Sequence, residues 1–175
     1  MDKYKKFIET AEWSIREEPA IKILQADFPQ EIVKEINDYI DELLESGTSD
    51  YKTYALLLKS DNFISQNKLD DARETYMDLV KKAENSFIRD LAKLKLSYLN
   101  VDNVSFDQIQ EDLSSLLESD NPLSLFAYEV LAMSAYKHGL YERGIEYLNT
   151  IIKSEKTTNG MFDRAQMMLR VMDSK

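Results

Sequence analysis

The chain has 175 residues, of which 43% are hydrophobic and 31% charged, and its formal net charge is −10. This composition indicates a globular domain with its own core, and the acidic balance argues against nucleic acid or an anionic membrane surface as a partner, since both need a basic surface. The sequence contains no cysteine, which excludes disulfides, thiolate metal sites and cysteine nucleophiles.

The N-terminal 48 residues are predicted to form a helical segment of their own. Four glycines and three prolines are too few for the turns of a sheet-based domain, so helix is the default. A first helix over residues 2–17 is expected to end at Pro19, and Pro29 opens a second that ends at Gly47. The apolar stripe of the first helix consists of Phe7, Ile8, Ala11 and Ile15.

From residue 49 to 175 the apolar periodicity predicts helices in pairs. They are expected over residues 50–66, 69–84, 87–100, 106–119, 123–138, 141–154 and 160–173. The turns at Asn67, Asp102–Asn103 and Gly139 lie 35–36 residues apart. A period near ~34 residues with two helices per unit is typical of tetratricopeptide repeats, in which neighbouring pairs bury one another's apolar faces.

Two glycines, Gly139 and Gly144, follow the same pattern as Asn67 and Ala72 in the earlier unit. The first residue of each pair suits a left-handed turn. The second is expected where the second helix of a pair touches the first. A glycine inside a helix costs about 1 kcal/mol relative to alanine, so a close backbone approach is predicted at Gly144.

This pattern resembles the tetratricopeptide-repeat superfamily, although Gln108 stands where a small residue is expected and the middle unit is therefore irregular. The residues that carry the resemblance are Leu56, Phe63, Asn67, Ala72, Tyr76, Tyr128, Leu131, Ala132, Gly139 and Gly144. It implies an all-α fold: a right-handed α-solenoid of antiparallel helix pairs over 49–175, with extra N-terminal helices over 1–48 and a C-terminal capping helix.

The stretch over about residues 50–173 looks similar to a narrower group, the membrane-anchored periplasmic repeat domain related to the ancillary subunit of the Sec translocon. The matching motifs are Arg89–Ala92, Asn121–Pro122, Leu131–Ala135, Gly139 and Arg164–Ala165. This resemblance implies a domain on the periplasmic side of the bacterial inner membrane, with an anchor outside this chain, that assists secretion or envelope assembly. If Met1 is the natural start, a cytosolic repeat adaptor is the better interpretation.

The expected partners are other proteins or peptide segments, bound on the concave face lined by the first helix of each pair. Transferring the superfamily's groove positions implies a protein-binding groove made of Tyr54, Leu57, Asp61, Ser65, Asp90, Lys93, Ser97, Phe126, Glu129, Met133 and Lys137. A homodimer is a further expectation, because Tyr4, Phe7 and Trp13 on the first helix could belong to the core or pack against a second copy.

No catalytic, cofactor or metal site is predicted. The only histidine, His138, ends a helix, where an imidazole suits the helix dipole and has no catalytic partner in the sequence. The acidic runs lack the spacing of a calcium loop, and no glycine-rich phosphate loop is present. The methionine-rich last helix is expected to cap the core; an adaptable partner groove is the alternative. Its methionines are Met161, Met167, Met168 and Met172.

Overall fold

The computed structural model describes residues 38, 40–45, 47, 49–118 and 120–174. The helix predicted over 2–17 lies outside these ranges, as does the start of the second. Residues 40–45 are helical, and the amide of Gly47 donates to the carbonyl oxygen of Leu43 at 3.0 Å. The described residues after 48 form seven α-helices: α1 Ser49–Ser65, α2 Leu69–Lys82, α3 Ser86–Asn100, α4 Phe106–Leu113, α5 Ser124–Lys137, α6 Tyr141–Lys153 and α7 Asn159–Asp173. The all-α class is confirmed for this part of the chain.

Three of these helices begin at a side-chain cap. Asn85, Ser105 and Thr158 precede α3, α4 and α7, and each accepts a hydrogen bond from the amide three residues on, at 3.2, 3.3 and 3.4 Å. Such caps satisfy amides that have no partner within the helix, and each typically stabilises a protein by about 1 kcal/mol.

The helix predicted over 106–119 is shorter than expected. α4 ends at Leu113, and a single 3₁₀ turn follows over Ser114–Leu116. The Ser114 hydroxyl donates to the carbonyl oxygen of Glu111 at 2.8 Å, which is the local competition with helical hydrogen bonding expected of serine. Leu116 is still buried, so the 3₁₀ turn keeps the apolar face of this segment in the core.

The hairpins α1–α2 and α5–α6 have the same backbone turn. Asn67 and Gly139, 72 positions apart, have left-handed backbones with φ of 58° and 72°. The residue after each donates its amide to the carbonyl oxygen five positions back, at 2.8 Å in both turns. The equivalence predicted for these two turns is therefore confirmed.

The second helices of these two hairpins, α2 and α6, bury residues at matching positions along the helix. Their fully packed residues are Ala72, Tyr76 and Leu79 in α2 and Gly144, Leu148 and Ile151 in α6. Each residue of the second set again lies 72 positions after its counterpart. A shared backbone turn followed by a shared buried register makes the two hairpins structural equivalents.

The cause of the glycine at 144 differs from the prediction. A Cβ there would lie 3.5 Å from the Ala135 Cβ on α5, which is ordinary contact, but 2.6 Å from the Met172 sulfur on α7. The close approach therefore comes from the last helix, which packs across α6, and only secondarily from the first helix of the hairpin.

The middle turn is not equivalent to the other two. Neither Asp102 nor Asn103 has a left-handed backbone, and five residues rather than three connect α3 to α4. The amides of Asn103 and Val104 both donate to the carbonyl oxygen of Asn100, at 2.8 and 3.1 Å. The irregularity expected for the middle unit is thus located in its turn and in the short α4.

Packing follows the order of the chain. Three clusters of buried apolar residues succeed one another: one shared by α1–α3, one by α3–α5 and one by α5–α7. The substantial helix contacts join sequence neighbours or the first helices of adjacent pairs, namely α1 with α3 and α3 with α5. α5 is buried on most sides and is correspondingly rich in small residues. In the described ranges no helix is long and apolar enough to cross a bilayer.

The left-handed turn gives a direct test of hairpin geometry. Gly139→Ala should lower the free energy of unfolding by about 1–2 kcal/mol, because an L side chain disfavours this conformation. No atom lies within 4 Å of the added Cβ, so the cost is conformational rather than steric. Gly139→Asn, which copies Asn67, should cost less than half as much. Urea unfolding measures both, and equal losses would contradict this assignment.

Candidate protein-binding surface

The first helix carries an exposed apolar stripe. Tyr51, Tyr54 and Leu58 of α1 are 59%, 49% and 46% exposed. At 100° per residue these three positions fall within an arc of about 60° on the helix surface. Large apolar side chains grouped in this way on a charged protein are typical of a binding surface. We call these three residues the α1 stripe.

Contacts with two neighbouring elements flank the α1 stripe. On one side, Lys59 pairs with Asp41 of the preceding helical residues at 3.4 Å. On the other side, Asp61 accepts a hydrogen bond from Lys95 of α3 at 2.7 Å. The α1 stripe therefore faces outward between Asp41 on one side and Lys95 of α3 on the other.

Phe126 is the counterpart of Tyr54 on α5. Tyr54 lies nine positions before Phe63, and Phe126 nine before Ala135, the residues whose carbonyl oxygens accept the hydrogen bond that closes each hairpin turn. Each aromatic residue also directly precedes a fully buried alanine, Ala55 or Ala127. Phe126 is 38% exposed. Between them, at the intermediate spacing on α3, is the half-buried Asp90, which accepts a hydrogen bond from the Asn121 side chain at 3.2 Å.

Asp61 is engaged inside the protein. It accepts hydrogen bonds from the hydroxyl of the buried Tyr76 on α2 and from Lys95 on α3. Burial, and next the charge of Asp61, raise the pKa of Tyr76 above its ordinary range. Asp61 therefore ties three helices together, and its carboxylate is largely used within the fold.

Glu129 lies deeper than predicted for a groove residue. It is buried, and both of its oxygens accept hydrogen bonds from the guanidinium of Arg164 on α7, at 2.6 and 2.9 Å. The Tyr98 hydroxyl of α3 donates to the same carboxylate at 3.3 Å. Hydrogen bonding to Glu129 raises the pKa of Arg164, and burial raises that of Tyr98. One carboxylate thus links α3, α5 and α7.

The other predicted groove residues of α1 and α5 vary in exposure. Leu57 and Met133 are half-buried against the first and second core clusters. The Ser65 hydroxyl donates to the carbonyl oxygen of Asn62 within its own helix at 2.8 Å. Lys137 is exposed and pairs with Asp102 at 2.8 Å.

On α3 the predicted residues differ more sharply. Ser97 is buried, with 2% of its surface exposed, and cannot contact a partner in this conformation. Lys93 is accessible, and its amine donates to the hydroxyl of Ser115 at 3.2 Å. The contribution of α3 to an outer surface therefore comes from Asp90 and Lys93 rather than from Ser97.

Sequence reasoning missed two exposed members of this surface, Tyr51 and Leu58, and the internal partners Lys95 and Arg164. A signal for the partners was present. Lys95 follows Asp61 by 34 positions and Arg164 follows Glu129 by 35, so each acid on a first helix has a base one repeat later. Stacked repeats place such positions side by side.

The two features singled out for possible chemistry have structural roles. His138 ends α5, where a ring nitrogen hydrogen-bonds with the carbonyl oxygen of Ser134 at 2.8 Å. In α7, Met161 and Met172 are buried in the third cluster while Met167 is exposed. Within the described ranges no group of three or more histidine or acidic side chains is placed to hold a metal ion.

Comparison with known proteins adds no relative. No family of known proteins, curated protein or solved structure matches the chain.

Stability at high pH tests the bridge between Tyr76 and Asp61. Because the folded state raises the pKa of Tyr76, the unfolded state loses its proton first, above about pH 10, and stability falls from there by up to about 1.4 kcal/mol per pH unit. Tyr76→Phe should cost about 1 kcal/mol at pH 7 and flatten this alkaline loss. Urea unfolding at pH 7, 10 and 11 measures it. The exposed Tyr136→Phe is the control, and an unchanged alkaline slope in Tyr76→Phe would contradict the expectation.

Proposed function

We propose that the protein is a non-catalytic interaction module that binds another protein or peptide on the surface containing Tyr54 and Phe126. The observation that carries the proposal is their equivalence: two exposed aromatic side chains occupy the same position in two hairpins 72 residues apart. The exposed part of an aromatic side chain contributes little to folding, and aromatic residues are enriched among those that dominate binding energy at interfaces.

The proposed architecture is a right-handed, tetratricopeptide-like α-solenoid. Its support is the sequential packing, in which each core cluster is shared by consecutive helices, together with the two matched hairpins. In such an array the first helices line one continuous face. α7 would then be a first helix without a second, which suits a capping role.

The proposed setting follows the resemblance of about residues 50–173. There, a domain of this kind stands outside the bacterial inner membrane, held by an anchor, and assists secretion or envelope assembly. A cytosolic repeat adaptor would use the same surface. Sequencing the gene upstream of Met1 separates the two, because an apolar run of about 20 residues is needed to span the membrane.

Site-specific photocrosslinking tests the function. A crosslinking amino acid at Tyr54 or Phe126 should capture the same protein in cells, whereas one at Met77 should not. Met77 is a suitable control because it is equally accessible but lies on α2, the second helix of its pair.

Binding by the purified partner completes the test. Tyr54→Ala or Phe126→Ala should weaken its affinity about tenfold or more, which is the usual effect of removing an interface anchor. Met77→Ala should leave the affinity within twofold. Capture that is equal at Met77, or affinity unchanged by both aromatic substitutions, would refute the proposal.

A further inference from the structure

We propose that residues 2–17 of the same chain dock on the α1 stripe and compete there with the partner of the proposed function. The α1 stripe of Tyr51, Tyr54 and Leu58 is about half exposed, and its three large apolar side chains are neighbours on the helix surface. An amphipathic helix is the natural complement of such a surface, because it buries its own apolar face in the same contact.

The N-terminal sequence has the face required. Phe7, Ile8, Ala11 and Ile15 fall within an arc of about 100° if this segment is helical. Their spacing of three and four residues is that of the anchors by which amphipathic helices bind apolar grooves. All eight charged residues of 2–17 fall outside this arc and would stay in water.

The connection between this segment and α1 is short. Of the helical residues 40–45 that precede α1, Asp41 pairs with Lys59, which flanks the α1 stripe, and Ile40 is fully buried. Residues 18–28, between the two predicted N-terminal helices, supply a connection of 11 positions, which as a random coil spans about 18 Å. The 17 residues of α1 extend about 25 Å.

The tether favours this occupant over a second copy of the chain. A segment joined by a short linker has an effective concentration in the millimolar range at its site. A second copy at micromolar concentration would need an affinity for the α1 stripe about a thousandfold higher to compete. Docking within one chain is therefore favoured over docking between two chains.

Engineered disulfides test the docking on purified full-length protein. The chain has no cysteine, so a pair introduced by Ile8→Cys and Leu58→Cys is the only one present. Mild oxidation should give a monomeric disulfide in at least tenfold excess over the control pair Ile8→Cys and Met167→Cys. Met167 matches Leu58 in exposure, at 47% against 46%, but lies on α7. Disulfide-linked dimers as the main product, or no excess over the control, would overturn the proposal.

Hydrogen exchange gives a second readout without cysteines. In Leu58→Lys, the amides of residues 2–17 should exchange about tenfold faster than in the parent chain, because a lysine in the α1 stripe opposes apolar docking. In the control Met167→Lys, their exchange should match that of the parent chain. Leu58 is half exposed, so its substitution should leave exchange in α2 unchanged and show that the fold is intact. Equal exchange of residues 2–17 in all three proteins would overturn the proposal.

The competition itself rests on the proposed function, whereas the docking does not. Deleting residues 1–17 should raise crosslinking of the partner from Tyr54 several-fold and leave crosslinking from Phe126 less affected. If the disulfide forms but no partner is captured by either variant, the docking stands and the proposed function fails. If deletion leaves capture at Tyr54 unchanged although a partner binds, the segment does not compete there.

Discussion

Replacing Arg164 with alanine is expected to lower the free energy of unfolding by about 3–5 kcal/mol. The substitution leaves Glu129 as an unpaired carboxylate whose side chain is only 9% exposed. The two strongest hydrogen bonds to that carboxylate are lost, and Tyr98 alone cannot replace them. In the part of the chain that the structure describes, Arg164 makes the only side-chain hydrogen bonds between α7 and α5. The C-terminal helix α7 should therefore detach before the other helices unfold.

A double-mutant cycle separates the pair from its surroundings. Glu129→Ala should cost less than Arg164→Ala, since Arg164 is 28% exposed and can recover water. Glu129→Ala combined with Arg164→Ala should be less destabilising than the sum of the two, with a coupling energy of about 2 kcal/mol or more. The exposed pair Lys82–Asp78 is the control, and its removal should change stability by less than about 0.5 kcal/mol. Additive losses at 129 and 164 would contradict the buried bridge.

The Glu129–Arg164 bridge also reduces the surface that is available to a partner. Glu129 and Asp61 have the helix positions of groove residues, yet each carboxylate is taken up by cations and hydroxyls of neighbouring helices. A partner that contacted them would have to compete with bonds already formed. The surface available to a partner is therefore apolar and aromatic at Tyr54 and Phe126, with Asp90 and Lys93 between them.

The helices could be predicted from the sequence because one-sided apolar periodicity is a local property. All seven helices after residue 48 lie within two residues of their predicted starts. The turns at Asn67 and Gly139 were predictable for the same reason, since few residues accept a left-handed backbone. The early end of α4 was not, because the two serines at 114–115 leave the helical pattern of leucines intact.

The candidate site was less predictable because exposure is a tertiary property. Ser97 and Glu129 are polar residues on a helix face, and nothing in their local sequence shows that a later helix covers them. The reason for Gly144 was equally hidden, because its close neighbour Met172 lies 28 positions away on α7. The sequence did contain one usable signal: an acidic residue is followed one repeat later by a basic residue, as in Asp61 with Lys95 and Glu129 with Arg164.

Leu148→Ala is expected to lower stability by about 2–5 kcal/mol and to do so unevenly along the chain. Leu148 is fully buried in the cluster shared by α5–α7, so truncation leaves a cavity there. In a sequential array each unit is stabilised only by its neighbours. The amides of α6 and α7 should therefore exchange with solvent at least about 30-fold faster than in the parent chain. Exchange of the amides of α1 and α2 should accelerate by less than about tenfold.

Ile64→Ala is the matched variant at the other end. Ile64 is also fully buried, in the cluster shared by α1–α3, and its truncation should reverse the pattern by accelerating exchange in α1 and α2 and sparing α7. A closed bundle, in which all helices share one core, would respond to either substitution with the same loss of protection everywhere. Uniform acceleration in both variants would thus contradict the solenoid. Opposite gradients would support it, because only an open array confines the damage to the units next to the cavity.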